Sequence, residues 1–512
     1  MKLSGKSLSS IHRGSELYLS LLAAHKKVAA KDAMTWGAKA SQEAAIRLNW
    51  VDLPRTSQAL LPQLQDLVEK FSDVTHLILC GMGGSSLGPE VIALTYKKNL
   101  FVVDSTDPNY IARSTSSSSL DSTLVIVSSK SGSTIETSSQ RAYFQELFEK
   151  AGLDPTDHLV FVTDPASPLD IDVRAAGFTV INADPNVGGR FSVLSAFGLT
   201  PAALIGAPVE EILTDAANEL SAMLLDPQSV VDVAYLLATN SQQYLGFTDE
   251  GSALPGLSDW IEQLIAESTG KDGTGRLPVV CESVASAALG GAFTVSFNEG
   301  SASLGVVGEL GSHFIFWEWV TALLGVALKI DPFNQPNVTE AKEQTGAALA
   351  EWKNSLPIFN PNYSEGSVDI FGDGQSLKDA LATFIEDVRE GGYIAIMAYL
   401  DRIEDVKLAE LRSIIAEKSG RPTTFGWGPR FMHSTGQFHK GGQKNGSFLQ
   451  VTGEVEGDLP IPGRGYGFAT LIMAQAIGDN RALAKRKYPL LRLHLQKRSA
   501  GIDQILAAAR SL

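Results

Sequence analysis

Two short loops carry residue types suited to holding a phosphate. The first is Gly81-Met82-Gly83-Gly84-Ser85-Ser86-Leu87-Gly88, entered from the β-rich run HLILC and left by the helical pattern EVIALTYKK. Glycines let backbone amides approach a ligand closely, and the start of the following helix adds partial positive charge. The second is Ser129-Lys130-Ser131-Gly132-Ser133-Thr134, four hydroxyls and an ammonium between the buried run TLVIVSS and the helical QRAYFQELFEKAG. Hydroxyl and amide donors gathered at one point suit a phosphate dianion, whose oxygens each accept several hydrogen bonds. Ser and Thr also favour such positions merely as solvated or capping residues. The glycine loop has its own rival as a dinucleotide-binding turn, with Asp104 placed like a ribose-binding acid, but that fingerprint needs glycine at 86, where serine stands. Two successive strand–loop–helix units with donor-rich loops favour phosphate over capping.

The elements that must position these loops follow from periodicity. Apolar residues at helical spacing and alanine-rich faces mark 15–48 as helical, and from 76 onward the short buried runs HLILC, LFVVDST, TLVIVSS, HLVFVTD and FTVINAD alternate with helical stretches. Buried strands alternating with helices predict a parallel sheet covered on both faces, with ligands beyond the carboxyl ends of its strands. A second α/β unit follows the helical stretch near 208–246 and contains LSDWIEQLIAESTGKDG, LPVVCES, FTVSF and DPFNQPNVTEAK. Pro- and Gly-rich text at 356–375 reads as a boundary or linker, and GGYIAIMAYLD, a helix near 405–418, TTFGWG and GSFLQVTG predict a third α/β region ending in helix. The predicted organisation is a helical N-terminal extension over 1–50, α/β domains over 51–205 and 206–355, and a C-terminal α/β region over 356–512.

The chain has 512 residues, 44% of them hydrophobic and 19% charged, a globular balance. Forty-two Lys+Arg against 57 Asp+Glu give a net charge of −15, a surface that repels phosphate backbones and anionic lipid, so neither nucleic acid nor membrane is an expected partner. Cys80 and Cys281 are too few for a disulfide framework or a cysteine metal site. The N-terminus lacks the pattern of a secretory signal, and the apolar run HFIFWEWVTALLGVALKI, interrupted by Glu318, is expected to fall short of a membrane span. A cytoplasmic location is the expectation.

GMGGSSLGP, SSKSGSTIET and GGRFSVLSAFGL together resemble the sugar-isomerase (SIS) domain of glucose-6-phosphate isomerases, and IAESTGKDG and DPFNQPNVTEAK match two further motifs of that family in order. The later RFMHSTGQFHKGG and DLPIPGRGYGFATL resemble the isomerase half of bifunctional transaldolase/phosphoglucose isomerases. The likeness runs from about residue 35 to the C-terminus. One departure is Asn337-Val338-Thr339 after Gln335-Pro336, where the family has a small residue, Val and Glu. The resemblance implies two three-layer α/β/α SIS units with parallel sheets plus the C-terminal region, a homodimer, and reversible aldose–ketose isomerisation of D-glucose 6-phosphate and D-fructose 6-phosphate. Alternatives are a dual phosphoglucose/phosphomannose isomerase and a non-catalytic sugar-phosphate sensor on the same fold.

Moving a proton between C1 and C2 through an enediol needs a base that reaches both carbons, stabilisation of the enediolate, and groups that open the sugar ring. By resemblance, Glu267 is the base, Arg190 after Gly188-Gly189 steadies the developing oxyanion, and Lys342 assists ring opening. Ser129, Lys130, Ser131, Ser133 and Thr134 bind the phosphate, with Gly84, Ser85, Gly189 and Gln335 around the sugar. No cofactor and no metal are expected, since no hydride leaves and no His/Asp/Glu cluster has ligand spacing. The ring-opening histidine of the family has no plain counterpart. His313 falls just ahead of the late apolar helix and reads as a packing residue, which leaves His433, narrowly ahead of His439, in HSTGQFHKGG, where Gln437 and Lys440 also suggest a site. An unperturbed imidazole pKa near 6.5 suits that proton transfer.

Overall fold

A computed structural model describes residues 1–116, 118–353, 355–455 and 457–512. Its contacts divide the chain into two units: one of Met1–Asp104, Ser118–Ala287 and Phe293–Gln335, the other of Pro336–Leu512 with the short segments Ser105–Ser117 and Ala288–Ala292.

The first unit contains two sheets. In the order Phe101–Val103, His76–Cys80, Thr123–Ser128, Leu159–Thr163, Thr179–Asn182, the first sheet is wholly parallel. Every residue of TLVIVS and LVFVT is buried, as expected of strands covered on both faces. Numbered along the chain, this order is 2-1-3-4-5, so the direction of winding reverses between His76–Cys80 and Thr123–Ser128. A crevice opens at such a switch point, beyond the carboxyl ends of the two strands. The glycine loop and the hydroxyl loop leave from those two ends.

In the second sheet, Leu304–Val307, Phe293–Ser296, Tyr244–Thr248 and Leu277–Val280 lie parallel in that order, and Lys2–Ser4 adds an antiparallel edge. The helix Leu310–Leu328 is 19 residues, long and apolar enough to cross a bilayer, contrary to the expectation from Glu318. Most of it, 83%, is buried inside the unit, and Phe314, Trp317 and Trp319 belong to the main core cluster. Each aromatic ring so removed from water contributes about 1.5–3 kcal/mol. His313 lies within the first turn of this helix rather than ahead of it, wholly buried, and its Nδ1 accepts from Trp317 Nε1 at 3.2 Å, a packing role.

The second unit is built on a mixed six-stranded sheet, ordered Tyr363–Glu365, Val368–Phe371, Leu490–Leu495, Gly446–Gly453, Tyr393–Tyr399, Thr423–Trp427. The first two strands pair antiparallel inside the segment expected to be a boundary or linker, so 356–375 supplies strands of the second unit's sheet, and the division between the units falls instead at Gln335/Pro336. The helical reading of 15–48 holds over Glu16–Ala29, capped by Ser15, and then breaks into a 3-10 turn over Ala33–Trp36 and a short helix over Ser41–Ala45. Segment 105–117 joins the second unit through ion pairs of Arg113 with Asp401 and Glu404, and of Asp107 with Arg498.

Candidate active site

In the first unit the base expected from the sequence sits in a polar cluster. Glu267 lies near the end of the helix Leu257–Thr269, whose buried side carries Trp260, Ile261, Leu264 and Ile265 and so fixes the helix against the core. One carboxylate oxygen is 2.9 Å from Arg190 Nη1, and the other accepts from Gln263 Nε2 at 3.1 Å. Positions four apart are neighbours on a helix surface, which is how Gln263 reaches Glu267.

Arg190 uses its planar fork in several directions. Its Nε donates to Ser268 Oγ at 2.8 Å, Nη1 to Gln335 Oε1 at 3.2 Å, and Nη2 to the carbonyls of Pro332 and Asn334 at 2.7 and 3.0 Å. The buried Lys271 ammonium donates to the Asp331 and Asn334 carbonyls. Burial, with Arg190 nearby, holds that ammonium well below the usual lysine range. Two cations therefore pin segment 331–335, which carries Gln335, beside Glu267. The structure thus brings Glu267, Arg190 and Gln335 together.

The two donor loops belong to the same unit. A Cβ at Gly84 would overlap the Gly189 carbonyl, so glycine at 84 lets the first loop lie directly on the segment that presents Arg190. At Gly189 itself an added Cβ would meet nothing within 4 Å, which leaves that face open. Ser85 is half-buried in the first turn of Gly84–Thr95.

In the second loop Thr134 is the N-cap of the helix Ile135–Lys150, yet its side chain makes no capping bond. The capping explanation for this hydroxyl therefore fails, and it stays available at a helix N-terminus. Ser131 and Ser133 are exposed with their hydroxyls 2.7 Å apart, and Ser129 Oγ accepts from Gly132 N at 3.1 Å. Lys130 is used differently from the expectation. Its ammonium pairs with Asp164 at 2.7 Å and donates to the carbonyls of Pro185 and Val187 at 3.0 and 2.9 Å. An ammonium has three donors, so this side chain has none left for a phosphate and instead ties the loop to the strand end leading to Gly188. Burial pushes the Asp164 carboxyl up, against the pull of Lys130.

The remaining expected residues lie in the second unit, described by itself. Lys342 is exposed on the helix Val338–Glu351. His433 ends the short turn Arg430–His433 and is half-buried. His439 is enclosed: its Nδ1 is 2.8 Å from Tyr393 Oη, the two rings stack, and Phe448 packs edge-on. Burial, with Lys440 alongside, keeps His439 well below the ordinary imidazole range, so it is neutral. A ring walled in by aromatics is poorly placed to exchange protons with a ligand. Two neighbours that suggested a site prove structural. Lys440 forms a buried ion pair with Asp479 at 2.5 Å, and Gln437 clasps Asn337 reciprocally, accepting from its backbone N at 2.9 Å and donating to its Oδ1 at 2.8 Å. That clasp gives a physical reason for asparagine at 337, where the family pattern has a small residue.

Sequence reasoning missed Gln263, Ser268 and Lys271. Ser268 and Lys271 stand inside the motif IAESTGKDG, and the four-residue spacing from Gln263 to Glu267 was the signal for the third. Among the described residues no group of three or more His, Cys, Asp or Glu is arranged to hold a metal ion.

A parallel sheet with donor loops at its switch point, in one unit with a second, largely parallel sheet and the helix that carries Glu267, defines an α/β protein. The phosphoglucose isomerase family profile matches residues 67–294. A probable glucose-6-phosphate isomerase of Haloquadratum walsbyi is 34% identical over 238 residues, 45% of this chain and 55% of that protein. The glucose-6-phosphate isomerase of Thermus thermophilus is 33% identical over 235 residues, 44% of this chain and 56% of that protein. The chain thus spans about half the length of the curated relatives it matches. The crystal structure of a glucose-6-phosphate isomerase from Chlamydia trachomatis shares the fold at 20% identity and a TM-score of 0.50, covering 62% of this chain and 75% of that one. Over residues 67–294 the chain is thus similar to the phosphoglucose isomerase family.

Proposed function

We propose that the protein interconverts D-glucose 6-phosphate and D-fructose 6-phosphate by moving a proton between C1 and C2. The observation that carries this reading is the Glu267 carboxylate held between Arg190 and Gln263, in the same unit as two donor-rich loops at a sheet switch point. A base must be fixed to serve two carbons in turn, and two hydrogen bonds to its two oxygens fix it. Arg190 supplies the positive charge that steadies the developing enediolate. The hydroxyls of Ser129, Ser131, Ser133 and Thr134 take the phosphate, with Gly84, Ser85 and Gln335 toward the sugar. Ring opening falls to His433 and Lys342, His433 being the more accessible of the two candidate histidines. A homodimer and a cytoplasmic setting belong to the same reading.

The test is formation of glucose 6-phosphate from fructose 6-phosphate in a coupled assay, together with Glu267→Gln. The variant should lose exchange of solvent tritium into fructose 6-phosphate while keeping sugar-phosphate affinity, because the carboxylate acts in the transition state. Exchange at the wild-type rate would remove Glu267 from the role.

A further inference from the structure

Segment 33–50 shares the first unit with the Glu267 cluster, and its two ends meet two loops of that cluster. At the start, Trp36 closes the turn Ala33–Trp36, half-buried, and its Nε1 donates to the Ala322 carbonyl of the helix Leu310–Leu328 at 2.9 Å. Its ring meets Phe333 edge-on, with centroids 4.8 Å apart and planes at 87°. Phe333 stands two residues before Gln335. At the other end, Leu48 bridges Val187, and Asn49 Nδ2 donates to Asp184 Oδ2 at 2.7 Å. The buried ring of Trp50 lies 5.2 Å from that of Phe191, the residue after Arg190. Phe191 and Phe333 pair in turn at 5.5 Å, so the rings of Trp36, Phe333, Phe191 and Trp50 form one connected row.

The two cations do not by themselves fix segment 331–335. Arg190 and Lys271 hold the carbonyls of Asp331, Pro332 and Asn334, but a carbonyl accepts over a broad range of directions. A segment held only in that way shifts along its own length while keeping its bonds. Ring packing is less forgiving, because interiors are close-packed and an edge-to-face pair has a preferred distance and angle. Trp36 is itself fastened through Nε1, so its ring is a stop against which Phe333 rests.

Removing that stop frees Phe333 on one side, and with it Gln335, whose Oε1 accepts from Arg190 at 3.2 Å. Arg190 in turn sits 2.9 Å from the Glu267 carboxylate. We propose that Trp36 is a positioning residue for the reaction, setting Gln335 against Arg190 and Glu267 through Phe333. The inference rests on the isomerase reading above, in which those three groups act on the sugar. A tryptophan that only filled space would contribute stability and leave the rate of the folded enzyme alone.

The test uses the full chain and compares Trp36→Leu, which removes the ring, with Trp36→Phe, which keeps a ring against Phe333 but cannot donate to Ala322. Both variants should melt below the wild type. Only Trp36→Leu should lose kcat on fructose 6-phosphate, by at least about tenfold, since displacement of about 1 Å can cost on the order of 100-fold, while Trp36→Phe stays within about threefold. Competition by inorganic phosphate should hold in both, because Lys130, not Trp36, ties down the hydroxyl loop. Hydrogen exchange read by mass spectrometry needs no activity. The Phe333 amide, which donates to Asp331 Oδ1 at 2.8 Å, and its neighbours over 331–335 should exchange at least about tenfold faster in Trp36→Leu, with Thr123–Ser128 unchanged. Wild-type kcat in Trp36→Leu, equal kcat losses in the two variants, phosphate competition lost in parallel with kcat, or unaltered exchange over 331–335 would each overturn the proposal. A wild-type protein that does not isomerise fructose 6-phosphate would sink the isomerase reading instead, and the exchange result would then decide the coupling of Trp36 to segment 331–335 by itself.

Discussion

Arg190→Lys keeps the charge beside Glu267 but removes the planar fork, and the structure sets the size of the effect. Arginine at 190 serves Ser268, Gln335, the Pro332 and Asn334 carbonyls and the Glu267 carboxylate through separate N–H groups. A lysine ammonium has three donors at a single point, so at least two of these acceptors lose their partner. Hydrogen bonds to a charged group are worth about 1.5–3 kcal/mol each, so the substitution should cost at least about 3 kcal/mol. At roughly 2 °C per kcal/mol for a large domain, the melting temperature should fall by about 6 °C. Freed from one side, Glu267 and Gln335 lose their mutual alignment, and displacement of about 1 Å at a reacting group can cost on the order of 100-fold in rate. Circular dichroism melting and steady-state turnover of fructose 6-phosphate measure the two effects. A variant with unchanged melting temperature and wild-type kcat would refute the view that the fork, rather than the charge, organises this site.

Replacing Ser131 and Thr134 with alanine should raise KM with little change in kcat, because phosphate contacts exist in ground and transition states alike, and inorganic phosphate should compete with substrate. Unchanged KM would move the phosphate elsewhere. His433→Ala should slow turnover of cyclic substrate far more than exchange on an open-chain analogue. His439→Ala should instead lower stability by about 1–3 kcal/mol through the unpaired Tyr393 hydroxyl, and the opposite pattern would exchange the two assignments. Burial lowers the pKa of His25 to about 4 and that of His313 to about 3, so both are neutral in the folded protein. Their folded values lie below the unfolded value near 6.5, so the stability they contribute is present above pH 6.5 and lost as pH falls toward 4 and below. Urea midpoints should therefore drop across that window, by up to about 1.4 kcal/mol per histidine per pH unit, and His25→Gln should flatten the slope. An unaltered slope would show that His25 is not the titrating group.

What could be read from the sequence follows the physical range of each signal. The five strands of the first sheet were legible because buried parallel strands are unbroken apolar runs bounded by polar loops. The strand Tyr244–Thr248 was taken into the preceding helical stretch, since YLGFT directly follows apolar positions at helical spacing. The edge strand Lys2–Ser4 and the strand Val368–Phe371 depend on partners far along the chain, and nothing local marks them. At the site, the resemblance to a family's motifs named Glu267, Arg190 and Gln335. It could not show that Lys130 turns its ammonium to Asp164, or that Gln437 and Lys440 are consumed by Asn337 and Asp479. Polar residues in a motif look alike whether they face a ligand or a neighbouring loop; only the direction of the side chain separates them.

The chain leaves the first unit after Asp104 and returns at Ser118, lending the intervening stretch to the second unit. This has a consequence during synthesis. Asp107 is neutralised by Arg498, 391 residues further on, and Arg113 pairs with Asp401, 288 residues further on. At about 5–20 residues per second, a ribosome takes on the order of 20–80 s to supply Arg498 after Asp107 has appeared. Through that interval the carboxylate of Asp107 and the guanidinium of Arg113 remain in water. The stretch is rich in serine and threonine, residues that tolerate such waiting without attracting other chains. A nascent chain stalled at Gln335 would hold the Glu267 cluster in full, yet present 105–117 as a tethered polar loop.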